Sequence, residues 1–106
     1  MWVVEFLDDD ALAEYLALPE DMQAKFSRIA NMIETFGLSK VHEPYVKHIT
    51  GKLWEMRLIG KDGIARSLYV TASVRRVVVL RTFIKKTQKT PHREIEYALK
   101  RAKELE

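Results

Sequence analysis

The chain has 106 residues, a formal net charge of +3 and no cysteine. That length makes one domain able to bury roughly two-thirds of its unfolded surface, and the lack of cysteine excludes a disulfide framework, a thiolate metal site and a cysteine nucleophile, which fits a reducing compartment. No apolar run approaches the ~20 residues of a membrane-spanning helix, and Met1 to Leu7 followed by three aspartates has no basic leader, so one cytoplasmic domain over residues 1–106 is expected.

Met1 to Leu7 (MWVVEFL) reads as a short strand that joins the later sheet as a neighbour. Asp8, Asp9 and Asp10 offer an N-cap and favourable charge at the positive end of a helix that takes in Ala11 to Ala17. Pro19 starts the next helix at its first position. In that helix Met22, Phe26, Ile29, Ala30, Ile33 and Phe36 form a core stripe, and Gly37 is placed to end it. Leu38 to Lys52 reads as a connector punctuated by Pro44 and Gly51. It holds His42 and His48, but together with His92 these show no i, i+4 ligand spacing, so neither a metal nor another cofactor is expected.

Three strand-like runs follow. In LWEMRLIG, alternation puts Trp54, Met56 and Leu58 on one face and Leu53, Glu55, Arg57 and Ile59 on the other. Lys61-Asp62-Gly63 is a tight-turn signal, so the second run folds back antiparallel, with Ile64, Arg66, Leu68 and Val70 on one face and Ala65, Ser67, Tyr69 and Thr71 on the other. Tyr69, opposite in phase to Arg66, reads as a packing residue. The third run, Val77 to Ile84, is apolar on both faces apart from Arg81 and Thr82, which predicts a strand that is central or covered on both sides. Ala72 to Arg76 turns into it without Gly or Pro. Beyond the basic run Lys85 to Lys89, Thr90-Pro91 reads as an N-cap and first helical residue, and Ile95, Ala98, Leu99, Ala102 and Leu105 form the apolar stripe of a last helix. The basic run and the exposed N–H groups of that helix converge, as at other anion sites.

Charge is unevenly spread. Residues 1–38 carry two basic and eight acidic side chains, residues 39–93 thirteen and three. Arg57, Arg66 and Arg81 fall inside strands, and a guanidinium cannot shed its charge, so each must reach water, a carboxylate or an anionic ligand. A basic block on a folded scaffold points to a polyanion-binding face, against the plainer reading of a solvated surface. The chain has no nucleotide-binding loop, Ser–His–Asp pattern or metal cluster. Among the cations stands one carboxylate, Glu55: either half of an ion pair with Arg57 or Arg66, or a general base beside cations that hold a phosphate.

The succession LWEMR, KDG, a strand bearing Arg and Tyr, an apolar strand, FIKKTQKTP and a helix of the REIEYALKR kind resembles the RelE/HigB superfamily of toxins, in its phage-derived Gp49-like branch, over nearly the whole chain. The resemblance implies an α+β fold: a small antiparallel sheet with two N-terminal helices packed on it and a C-terminal helix. It implies an endoribonuclease that cleaves messenger RNA on the ribosome, a monomer when free, silenced in a hetero-oligomer by a helix-turn-helix (HigA-like) antitoxin. Arg66 matches the strand arginine that contacts the scissile phosphate, Glu55 the position of a carboxylate or lysine base, Arg57 its basic neighbour, and Lys85 and Lys86 the basic end of the last strand. His92 or Lys85 would protonate the leaving oxygen. Lys47, Lys52, Arg81, Gln88, Lys89 and Arg93 complete the surface expected to hold RNA. Two positions depart from the family: Ala65 stands where an aromatic precedes the strand arginine, and there is no C-terminal His-Tyr pair. The site expected is a pocket in which cations from separate strands gather around Glu55, open to RNA.

Overall fold

Gly60 and Gly63 face each other at the ends of two strands, β3 (Leu53–Gly60) and β4 (Gly63–Ala72), and Lys61-Asp62 makes the tight turn between them. Gly63 has φ of 142°, which a side chain would resist. This hairpin is the middle of a sheet completed by β1 (Val3–Phe6), β2 (Val46–Thr50) and β5 (Arg76–Lys85). The order is β1-β5-β4-β3-β2. Pairs β2–β3, β3–β4 and β4–β5 are antiparallel, and β1 joins the outer side of β5 parallel to it, so the sheet is mixed at that edge. Three helices, α1 (Asp9–Leu16), α2 (Glu20–Phe36) and α3 (His92–Ala102), complete the expected α+β architecture. The computed structural model describes residues 1–85 and 89–105.

Each face of the sheet has its own core. On one, Met22, Phe26, Ile29 and Ile33 of α2 pack with Met56 and Leu58 of β3, Ala65 and Tyr69 of β4, and Val77 and Val79 of β5. The rings of Phe6, Tyr15 and Phe26 pack together at centroid distances of 4.8–5.4 Å, Phe6 stacked on Phe26 and Tyr15 tilted against both, and tie β1, α1 and α2 together. On the other, Ala98 of α3 is buried with Leu53, Leu68, Val70, Val78 and Leu80, and Ile95, Ala102 and Leu105 pack against them. The apolar run of β5 is thus covered on both sides, as expected. Asp8 caps α1, its carboxylate accepting the Ala11 N–H at 2.9 Å, and Gly37 ends α2 at φ of 91°.

Several expectations need correction. The stretch read as a connector contains β2, which escapes the pattern because it is an edge strand with a register shift between His48 and Thr50 that breaks the alternation. Phe36 is 66% exposed, because it is the last residue of α2, where Gly37 turns the chain away. Leu99 is exposed, and Glu94 and Arg101 are buried in its place on the inner side of α3. Pro19 and Pro91 occupy the cap positions rather than the first helical ones, and Thr90 does not cap α3.

Helix α2 lies close over the β3–β4 hairpin. Asp21 accepts the Lys61 N–H at 2.8 Å, and a Cβ added at Gly60 would come within 2.8 Å of the Met22 side chain and 2.7 Å of the Asp21 carboxylate. Because the Asp21 carboxylate is held by that hydrogen bond, Gly60→Ala should destabilise the fold by about 1–3 kcal/mol. Urea unfolding followed by circular dichroism measures this, and an unchanged midpoint would show that α2 yields freely.

Candidate active site

Register decides what can meet on the α3 face of the sheet. Arg57 of β3 stands directly opposite Arg66 of β4, and Glu55 opposite Leu68, so Glu55 and Arg66 are diagonal neighbours on one face. Lys85 of β5 pairs with Ile64, which makes it the next diagonal neighbour of Arg66. Lys47 of β2 stands opposite Glu55. Directly opposed like charges repel, and Glu55 relieves that repulsion: its Oε2 accepts from Arg66 Nη1 at 2.5 Å and lies 3.9 Å from Arg57 Nε. The gathering of Glu55, Arg57, Arg66 and Lys85 expected from the sequence is therefore present.

The expected openness is not. Glu55 is 0% and Arg66 1% exposed. The Thr90 hydroxyl, just ahead of α3, donates to Glu55 Oε1 at 2.5 Å, so both carboxylate oxygens are engaged. Sequence reasoning gave Thr90 only a capping role, and nothing in its local pattern distinguishes the two uses. Helix α3 turns its positive end toward this region, which favours an anion there. Lys85 is buried at the end of β5, and its ammonium is held below the ordinary lysine value first by that burial and then by the Arg66 charge, with Glu55 acting the other way.

Arg81 was expected to hold RNA, and its surroundings correct that. Its Nε donates to Glu94 Oε1 at 2.8 Å and its Nη1 to Glu14 Oε2 at 2.7 Å. Arg101 joins the same group, donating to Glu14 at 3.0 and 3.2 Å, to the Leu80 carbonyl at 2.6 Å and to the Tyr97 hydroxyl at 2.9 Å. Both guanidiniums lie over the Tyr97 ring, 4.7 and 4.4 Å from its centre. Glu14 also accepts the Thr82 N–H at 3.1 Å. Arg81 therefore fastens α1 and α3 to β5, and its charge is spent inside the protein. Glu14, Glu94, Tyr97 and Arg101 had no role in the sequence reading.

The remaining expected residues are more scattered. Lys47 is exposed on β2, and Lys52 is exposed in the turn before β3. His92 is 84% exposed on its side chain and sits 3.5 Å from Glu96 on its own helix; among the described residues it has no hydrogen bond or ion pair with Glu55, Arg66 or Lys85. Arg93 is exposed on the first turn of α3, and Lys89 is exposed before it. Lys86 and Gln88 lie outside the described residues.

The depressed Lys85 value has a thermodynamic consequence. Between its folded value and the ordinary one, the unfolded chain binds the extra proton, so stability rises with pH across that window, and below it the cost of burying the ammonium is fully present. Compared with Lys85→Met, the wild-type chain should gain stability as pH is raised toward the ordinary lysine value. Urea midpoints at stepped pH measure the difference, and a difference independent of pH would mean that the amine is not desolvated.

Among curated proteins none matches the chain. A family model described as Phage derived protein Gp49-like matches residues 13–103, a span from α1 to the end of α3 that takes in every member of both ionic groups. The chain therefore belongs to the phage-derived Gp49-like family, a RelE/HigB-type toxin family whose toxins are paired with an antitoxin partner.

Proposed function

We propose that the protein is a toxin that cleaves messenger RNA on translating ribosomes by metal-independent attack of a ribose 2′-hydroxyl on its own 3′-phosphate. The observation that carries this reading is the diagonal Glu55–Arg66–Lys85 across three strands, with Arg57 beside it, one carboxylate among cations at the root of α3. In the reaction Glu55 takes the proton of the 2′-hydroxyl, whose oxygen bonds to phosphorus as the bond to the 5′-oxygen breaks. Lys85, whose lowered value makes it a readier proton donor, protonates that leaving oxygen. Arg66 and Arg57 stabilise the charge on the phosphorane. The products are a 2′,3′-cyclic phosphate and a 5′-hydroxyl, and DNA, lacking the nucleophile, is not a substrate. His92 is the less apt acid, being exposed and tied to Glu96.

For this chemistry the ribose hydroxyl takes over the place of Thr90 on Glu55 Oε1. A helix-turn-helix antitoxin of HigA-like kind that covers the basic face, or holds the Thr90 contact shut, would silence the enzyme. The competing readings, a nucleic-acid-binding module without catalysis and a topoisomerase poison of ParE-like kind, leave RNA ends unaltered.

The test is a translation extract with mapping of RNA ends. Wild-type chain should yield 5′-hydroxyl and 2′,3′-cyclic phosphate ends. Arg66→Ala should lose roughly 10²–10³-fold in rate, and Glu55→Gln roughly 10²–10⁴-fold. Arg66→Lys, which keeps a charge at the buried position, guards against misreading a folding defect. Ends carrying 5′-phosphate, or an undiminished rate in Glu55→Gln, would overturn the assignment.

A further inference from the structure

The face of the sheet that carries α2 holds a cavity of about 700 Å³, set between β2, β3, the segment after α2 and the N-terminal Trp2. Its wall is formed by Trp2, Val41, Val46, His48, Trp54 and Tyr69. The volume falls within the range of small-molecule sites, roughly 300–1,000 Å³. Nothing in the chemistry of Glu55 and Arg66, on the opposite face, uses it.

Tyr69 makes this cavity more than a gap in packing. The residue is 1% exposed and lines the cavity, and its hydroxyl has no hydrogen-bond partner among the described residues. Burial raises the phenol above its ordinary value, so it stays a protonated donor. In the open cavity water can serve that donor, but a purely apolar occupant would expel the water and leave the donor unsatisfied, which is costly. The occupant must therefore bring an acceptor. The walls around that donor are flat and aromatic: Trp54, directly across the β3–β4 pair from Tyr69, is 37% exposed, and His48 packs edge-on against it at 5.1 Å while its Nε2 is fixed by the Gly51 carbonyl at 2.8 Å. His48 thus holds the indole in position, with π-surface left uncovered. At the rim stand Lys47, a cation, and Glu43, a carboxylate able to accept from an amino group.

We infer that this cavity binds a nucleobase, stacked on Trp54 and accepting a hydrogen bond from Tyr69 through a carbonyl or ring nitrogen on its edge. A base is flat, carries in-plane acceptors and brings a phosphate for which Lys47 is the partner; stacking on aromatic side chains is how single strands are held without reference to sequence. Lys47 also supplies continuity with the other face. It stands opposite Glu55, while its neighbours Val46 and His48 line the cavity, so a strand crossing the β2 edge passes from one site to the other. The inference rests on the RNA reading for the source of the base, and not for the binding itself.

Both tryptophans of the chain line the cavity, so intrinsic fluorescence reports on it directly. The intact chain is titrated with AMP, CMP, GMP and UMP, with ribose 5-phosphate, and with a single-stranded oligoribonucleotide. Base-bearing probes should quench in a saturable way and ribose 5-phosphate should not. Tighter binding of the oligonucleotide identifies a base of a strand, and equal binding of mononucleotides identifies a free nucleotide; either supports a nucleobase site. Trp54→Leu should weaken binding roughly five- to hundredfold, with Trp2 still reporting. Tyr69→Phe, which removes only the hydroxyl, should weaken it about three- to tenfold by calorimetry. A chain inert toward RNA that still binds mononucleotides would leave this inference standing while the cleavage reading fell. Absence of quenching by every base-bearing probe, binding undiminished in both variants, or occupation only by a segment of a protein partner would overturn it.

Discussion

A carboxylate withdrawn from water inside a sheet has to be matched by the protein itself, and the matching of Glu55 is a consequence of strand register. The pairing of Arg57 with Arg66 brings two like charges together, and the diagonal position of Glu55 lets one carboxylate serve both. A one-residue slip of β3 against β4 would send Glu55, and Arg57 with it, to the α2 face and leave Arg66 and Lys85 beside each other with no carboxylate between them. Desolvating such a pair costs several kcal/mol per ion, and apolar residues of similar volume commonly do as well or better for stability. The same face shows that alternative a few residues away, where Leu53, Leu68, Val70, Val78 and Leu80 pack beneath Ala98. The ionic half is thus a costly solution adopted next to a cheap one, which is the pattern expected where chemistry, not stability, selects the residues.

A single irregularity in β5 assembles both ionic groups. From Val77, strict alternation would put Val79, Arg81, Phe83 and Lys85 on the α2 face. The register shift between Leu68 and Tyr69 on β4 corresponds to an extra residue on β5, so Arg81 pairs with Leu68 and Val79 with Tyr69. Leu80 and Arg81 then both face α3, and Phe83 and Lys85 follow them. Without the bulge, Lys85 would be separated from Arg66 by the sheet, and Arg81 would be driven into the apolar core beneath α2 instead of reaching Glu14 and Glu94.

This explains which parts of the structure were legible in the sequence. The hairpin at Lys61-Asp62, the two-sided burial of β5, the α2 stripe and the shared face of Glu55 and Arg66 follow from local rules of alternation, turn chemistry and helical spacing, which are written in neighbouring residues. The role of Arg81 was not legible: its partners Glu14 and Glu94 lie on α1 and α3, and only the docking of those helices brings them within reach. The same holds for Leu99, displaced from the inner side of α3 because Glu94 and Arg101 are wanted there. Lys85 was assigned to the site by family resemblance, since alternation alone, blind to the bulge, points it the wrong way. Thr90 fits the pattern of a helix cap so well that its longer-range contact with Glu55 could not be read from it. Tyr69 was correctly read as buried, but burial does not reveal that its hydroxyl ends in a cavity.

The two ionic groups also divide the labour of holding α3. In its first turn the helix is fixed by Glu94 to Arg81, and toward its end by Arg101 to Glu14 and the Leu80 carbonyl, with Ala98 buried between them. Ahead of its first turn, the hydroxyl of Thr90 reaches the site, on Glu55. A hydrogen bond to a charged group contributes about 1.5–3 kcal/mol, whereas undocking the helix would break several such bonds and expose the apolar surface around Ala98. Uncovering Glu55 by displacing Thr90 is therefore far cheaper than uncovering it by moving α3. The Glu14 cluster keeps the helix in place, first turn included, while Thr90 ahead of it gives way, so access to the carboxylate can be gained without loosening the sheet that positions it.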